Sequence, residues 1–355
     1  MRAFCAHQGF GNRPSGRVYS LGSAPWRFDM NVRIIQIIVG LTGAFFFLVL
    51  AFYHVPKDAV GAILASADPI WVGAAMLVYV ANLSLRARRW QVILRPLAAI
   101  SYPAVAKALL VGYGLNAILP ARLGELARAE FLKTDFGLDR VWALTSIVIE
   151  RLFDGLIIVA CLAIGLLLAA ATRQNAGILI DVLVTGSALF GLILIVALFV
   201  GPLIPRAVAH FPRFSSQIIM VQRGCGLLRT WKSLKVAALS LVIGLPDALA
   251  LWFVVKAVGL GLGFAETLVL VGVTGLSTIL PSGPAFLGTL QFAYALAIEF
   301  AGAPRAIGIA AATLAQLCLF LPIALAAVAV LVHRSGGALY EVLARRRSKF
   351  ALVRP

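Results

Sequence analysis

Apolar residues do not alternate along this chain; they come in blocks. Six blocks reach the length of about 20 residues that crosses a hydrocarbon core, at 34–53, 69–85, 141–171, 178–201, 236–258 and 305–333. Two further apolar segments, 101–119 and 264–299, are interrupted, the first by Pro120 and the second by Pro281-Ser282-Gly283-Pro284. Hydropathy leaves each as a crossing or a re-entrant hairpin. The pattern predicts an all-α polytopic membrane protein with about six transmembrane helices plus two re-entrant or broken helical segments, eight membrane segments in all.

Composition agrees: 61% of the 355 residues are hydrophobic and 13% charged, far from a soluble domain. Lys and Arg favour short cytoplasmic loops. With both broken segments re-entrant, the pieces 1–33, 86–140, 202–235 and 334–355 carry five, nine, six and six of the 31 basic residues. Both termini are then cytoplasmic, in the inner membrane of a cell. A crossing at 101–119 would strand Arg122, Arg128, Lys133 and Arg140 outside, so the charges favour re-entry.

The net charge of +17 is parcelled among loops beside apolar spans, which points to anionic lipid headgroups rather than nucleic acid. In the loop from Pro202 to Lys235, apolar residues such as Trp231 and Leu234 interleave with Arg223, Arg229, Lys232 and Lys235. That segment reads either as an interfacial basic helix or as an ordinary positive-inside loop. The N-terminal segment 1–33 is polar, rich in Gly and Ser, and expected to be disordered; Met30 is a second candidate start. The tail 334–355 is basic. Cys5, Cys161, Cys225 and Cys318 lack CxxC spacing, and His7, His54, His210 and His333 are scattered. Neither a disulfide, a metal site nor a cofactor is expected.

"GLNAILP" at 114–120 and "GLSTILP" at 275–281 share five of seven residues at an offset of 161. Downstream, "ARLGEL" resembles "AFLGTLQ" after a three-residue insertion. Each motif follows two spans and precedes one, giving halves of about 34–171 and 178–333. Three crossings separate the motifs, so the halves are expected to be inverted repeats, an architecture that places substrate between broken helices near mid-membrane.

The span from Val141 carries Glu150, Arg151 and Asp154. At about 1.5 Å per residue, Glu150 lies roughly 13 Å deep, where a charge costs about 2.5–3.5 kcal/mol to insert unless paired or hydrated. Arg122, Glu125 and Arg128 follow Pro120 along one flank of a short helix and are the available partners. On one reading these groups only staple the broken segment to the charged span. On the other, a half-helix N-terminus with Arg122 and Arg128 cradles an anionic headgroup. The second motif offers Ser282, Gly288 and Gln291 but little charge. "LRARRW" at 85–90 reads chiefly as a cytoplasmic rim, with Trp90 as an interface anchor.

The series "RARRW", "NAILPARLGELARA", "ERLFD" and a late "P…LG..Q" resembles the transmembrane, flippase-like region of the lysylphosphatidylglycerol synthases, here as a stand-alone member without the synthetase domain. The resemblance covers roughly 35–333 and implies movement of a lipid between leaflets, with Asn116, Pro120, Arg122, Gly124, Glu125, Arg128, Glu150, Arg151 and Asp154 as site positions. Two departures stand out. The family's PGGLG-like turn and following glutamate are here "PAFLG" and Gln291, which removes a second intramembrane acid, and Gln316 stands where relatives carry arginine. The expected function is lipid transport, with membrane lipids bearing anionic headgroups, and lipid-biosynthesis enzymes, as partners. The alternative is a membrane-embedded enzyme or accessory subunit acting in lipid headgroup or isoprenoid-lipid synthesis.

Overall fold

A computed structural model describes residues 30–96, 98–119, 122–169, 177–210, 221, 225–280 and 282–333. The expectations for 1–29 and 334–355, for Pro120 and for much of the loop 202–235 lie outside the described residues. Among those described, the chain is helical throughout: α1 Met30–Phe52, α2 Lys57–Ala65, α3 Pro69–Leu94, α4 Tyr102–Ile118, α5 Leu123–Phe136, α6 Arg140–Ala169, α7 Gly177–His210, α8 Lys232–Ala257, α9 Phe264–Ser277, α10 Thr289–Phe300 and α11 Arg305–His333.

Five of these, α3, α6, α7, α8 and α11, are single helices long and apolar enough to cross a membrane. Helices α1 and α2 pass the same test together across a bend of 88°, which gives six where the pair is one span. One expectation needs correcting. Helix α1 starts at Met30, so the last residues of the segment expected to be disordered are helical. Helix α2 is an element that the apolar blocks did not mark: Pro56 stands at its N-cap and Asp58 in its first turn, where the helix dipole favours an acid.

The broken segments are short helices. Asn116 Oδ1 accepts from Gly124 N at 2.8 Å, and a Cβ on Gly124 would run into the Gly112 carbonyl. Contacts pairing 116 with 124 and 112 with 128 make α4 and α5 an antiparallel hairpin. Gly137, at φ 67°, ends α5 by donating to Lys133 O, the left-handed stop that glycine permits. In the second segment α9 and α10 pack together across a 3-10 turn at Pro284–Phe286.

Among the described residues the larger apolar cores lie among α3, α4, α5 and α6 around Trp90, Leu109 and Leu132, among α8, α9, α10 and α11 around Leu270, Tyr294 and Ile309, and among α6, α7 and α9 around Leu162, Phe190 and Val273. Helices α3 and α8 join the first two through an extensive contact. Outward faces carry exposed Leu77, Val80, Leu192, Leu241 and Leu245, as expected of surface that meets acyl chains rather than water.

Candidate functional site

Tyr79, Asn82, Arg86 and Arg89 recur at intervals of three and four along α3 and so share one face. That face points inward. Arg89 is fully buried and donates to Asp154, to Glu150 at 3.3 Å and to Ser240 Oγ at 2.9 Å. Trp90 is fully buried as well, its Nε1 donating to Ser146 Oγ at 3.0 Å. Of the residues expected at a cytoplasmic rim, Arg88 and Arg95 are exposed, while Arg86, Arg89 and Trp90 belong to the interior. Helical phase, not proximity to a loop, decides between them.

Glu150 is fully buried and accepts from Arg128 at 2.7 Å, from Arg89 and from Tyr113 OH at 3.4 Å. The Arg128 guanidinium lies over the Trp90 ring, 3.8 Å from its centroid, and its stem crosses Gly112, where a Cβ would collide with it. These groups staple α4 and α5 to α3 and α6. A little further along α6, Arg151 donates to Glu125 at 2.9 Å and approaches Asp154 at 3.8 Å. Arg122, left-handed at φ 56°, reaches Glu125 at 3.9 Å and donates to the carbonyl of Thr278. Thr278 lies in the second motif, so the tips of the two breaks touch.

The second half also supplies an acid that the sequence reading passed over. Asp247 follows Pro246 inside α8 and accepts from Arg86 and, at 2.6 Å, from Asn82. Arg86 and Asp247 are 161 positions apart, the offset of the two motifs. The signal was a lone carboxylate within the apolar block 236–258. Elsewhere the second motif is held by amides: Gln291 Oε1 accepts from Gly288 N at 2.8 Å, and Gln291 Nε2 donates to Gln316 Oε1 at 2.6 Å. Gln316 Nε2 donates in turn to Ala285 O at 3.0 Å. Gly288, at φ 87°, packs on the Ala44 carbonyl, where a Cβ would collide. Ala285 and Phe286, in place of the glycines that the resemblance leads one to expect, adopt φ of 51° and 60°. Ser282 is buried.

Two adjoining cavities, of about 210 and 160 Å³, share Tyr79, Arg86, Arg151, Thr278 and Phe320 as walls. Asp154, Asp247 and Ser240 add polar surface to the larger one; Arg122, Tyr113, Asn116 and Phe286 line the smaller. Of the expected site residues, Asn116, Arg122, Arg151 and Asp154 thus border these cavities, while Gly124, Glu125, Arg128, Glu150, Ser282, Gly288 and Gln291 are not among their lining residues. The half-helix N-terminus expected to offer free donors is partly spent, because Asn116 takes the Gly124 amide. The network holds the five guanidiniums of Arg86, Arg89, Arg122, Arg128 and Arg151 against the four carboxylates of Glu125, Glu150, Asp154 and Asp247. It carries one positive charge in excess, which suits an anion.

Residues 34–327 match the family described as Lysylphosphatidylglycerol synthase TM region. The chain belongs to that family. As a member of the Lysylphosphatidylglycerol synthase TM region family it is a multi-pass membrane protein, and the paired charges sit within the family's matched span. A curated relative, Glycosyltransferase AglD of Haloferax volcanii, is 30% identical over 165 residues, 45% of this chain and 26% of the relative. The chain therefore matches about a quarter of that protein's length, and the family together with this relative ties it to lipid-related work in membranes.

Proposed function

We propose that this chain moves a lipid with an anionic headgroup between leaflets, binding it in the two adjoining cavities. One observation carries the reading: Arg122 at the tip of the first break meets Thr278 in the second, over cavities walled by Arg86, Arg122 and Arg151. Guanidinium forks suit phosphate oxygens, and a lipid headgroup is an anion that a site among apolar helices meets. Arg122 is the first contact: its side chain is 30% exposed, Glu125 lies 3.9 Å away, and a headgroup oxygen takes the place of the Thr278 carbonyl on its guanidinium. Arg151 and Arg86, anchored by carboxylates, provide the fixed field.

The halves are read as inverted repeats. The supporting facts are the shared offset of 161 between the motifs and between Arg86 and Asp247, and the hairpin in each half. In this arrangement α4–α5 and α9–α10 are re-entrant, giving eight membrane segments, and the Arg86–Asp247 pair lies near the axis relating the halves. Rocking of one half against the other would part the Arg122–Thr278 contact and expose the headgroup to alternate sides. Both termini and the loop after α5 face the cytoplasm of an inner membrane, by the distribution of Lys and Arg.

Mass spectrometry of total lipids from a deletion strain, combined with leaflet-selective chemical labelling, tests this against the enzyme reading that the glycosyltransferase relative brings to mind. Transport leaves the lipid species unchanged and shifts one anionic class between leaflets. Loss of a chemical species would overturn it.

A further inference from the structure

The two carboxylate oxygens of Asp154 stand in different situations. Oδ1 accepts from the fully buried Arg89. Oδ2 is buried too, yet has no hydrogen-bond partner among the described residues, although Arg151 Nη1 and Arg86 Nη1 stand only 3.8 and 3.9 Å from it. A buried acceptor left unpaired costs free energy. Both guanidiniums are held short of it by other bonds, Arg151 by Glu125 at 2.9 Å and Arg86 by Asp247. Asp247 does not depend on Arg86 alone, because Asn82 Nδ2 donates to its other oxygen at 2.6 Å. Pro246 precedes it inside α8 and has no amide proton for the carbonyl of Val242, so the helix lacks a backbone bond at that point and bends there more readily.

We propose that Arg86 is a latch with two positions. In the arrangement described it ties α3 to α8 through Asp247; when the halves shift, its guanidinium swings to Asp154 Oδ2 and ties α3 to α6 instead. No carboxylate loses its last partner in the exchange: Asp247 keeps Asn82, and Asp154 keeps Arg89 and gains a second fork. Arg151 sets the bias. It is the other claimant to Asp154 Oδ2 and walls both cavities, so an anion that draws Arg151 into the cavity leaves that oxygen to Arg86 and releases the tie to α8. A ligand shifts such an equilibrium only through an interaction that differs between the two states, and Arg151 supplies it. The trigger by an anion rests on the transport reading above; the exchange of partners stands on the geometry of Arg86, Asp154 and Asp247.

Double electron–electron resonance between spin labels at Lys133→Cys on α5 and Lys235→Cys on α8, both exposed positions, tests it in protein whose Cys5, Cys161, Cys225 and Cys318 are replaced by serine. The labelled protein without lipid should show one main distance, and phosphatidylglycerol should add a second. Asp247→Asn should populate the second distance without lipid, at several times the parent fraction. Adding Asp154→Asn to Asp247→Asn should remove at least half of that population, since Arg86 then has no carboxylate to move to. A helix pair merely loosened by the loss of Asp247 would keep it. Where that double variant does not fold, Asp247→Asn with Arg86→Gln takes its place with the same expectation. Absence of the second distance in Asp247→Asn, or its survival in the double variant, overturns the latch, and a lipid response that survives Asp154→Asn alone overturns its trigger. A second distance in Asp247→Asn beside a parent protein that ignores phosphatidylglycerol leaves the latch standing and counts against the transport reading.

Discussion

Arg86 on α3 and Asp247 on α8 pair side chain to side chain across the middle of the protein, 161 positions apart. That separation equals the offset between GLNAILP and GLSTILP. The contact joins the two helices that connect the cores around Trp90 and Leu270.

Asp247→Asn should therefore lower stability by about 1.5–3 kcal/mol, the range for a hydrogen bond to a charged group, since Arg86 keeps only Tyr113 at 3.5 Å and Asp154 at 3.9 Å. The exchanged pair Arg86→Asp with Asp247→Arg should recover part of the loss. Melting temperatures in detergent decide; a swap no better than the sum of its single variants would argue against a direct pair.

Stapling and ligand contact separate by mutation. Glu150 lies buried between Arg89 and Arg128, so Glu150→Gln leaves buried guanidiniums under-compensated and should cost about 3–5 kcal/mol, visible as lost folded yield. Arg122→Ala removes a partly exposed side chain and its bond to the Thr278 carbonyl and should cost clearly less, about 1.5 kcal/mol. Comparable instability in both would mean that Arg122, too, is only structural.

The α4–α5 hairpin closes through backbone. Gly124→Ala drives a Cβ into the Gly112 carbonyl and should destabilise the protein, whereas Gly73→Ala, in mid-helix with open space around it, should stabilise it by up to about 1 kcal/mol. Thermal unfolding of the two variants side by side measures the difference.

Orientation is open to labelling. Lys133→Cys at the end of α5 should react with an impermeant maleimide only from the cytoplasmic side, and Gly261→Cys between α8 and α9 only from the opposite side. Both positions are exposed. Labelling of Lys133→Cys from the outer side would contradict the re-entrant reading of α4–α5.

Much of this was legible in the residues because charge in an apolar block must find a partner. Glu125, Glu150, Arg151 and Asp154 were visible on that ground, and Pro120 with the Pro281–Pro284 run marked both breaks. Arg86 and Arg89 were misplaced because RARR at the end of an apolar block looks like a membrane rim; only the phase of α3, which aligns them with Tyr79 and Asn82, turns them inward. Asp247 escaped notice as a single acid among apolar neighbours.

The central claim is met most directly by the initial rate of leaflet exchange of a fluorescent phosphatidylglycerol in proteoliposomes, read by dithionite bleaching, for the wild-type protein and Arg122→Ala at equal incorporation. The account predicts bleaching beyond the outer-leaflet half with wild type and a rate at least tenfold lower with the variant. Equal rates, or bleaching confined to the outer leaflet in both, would contradict it.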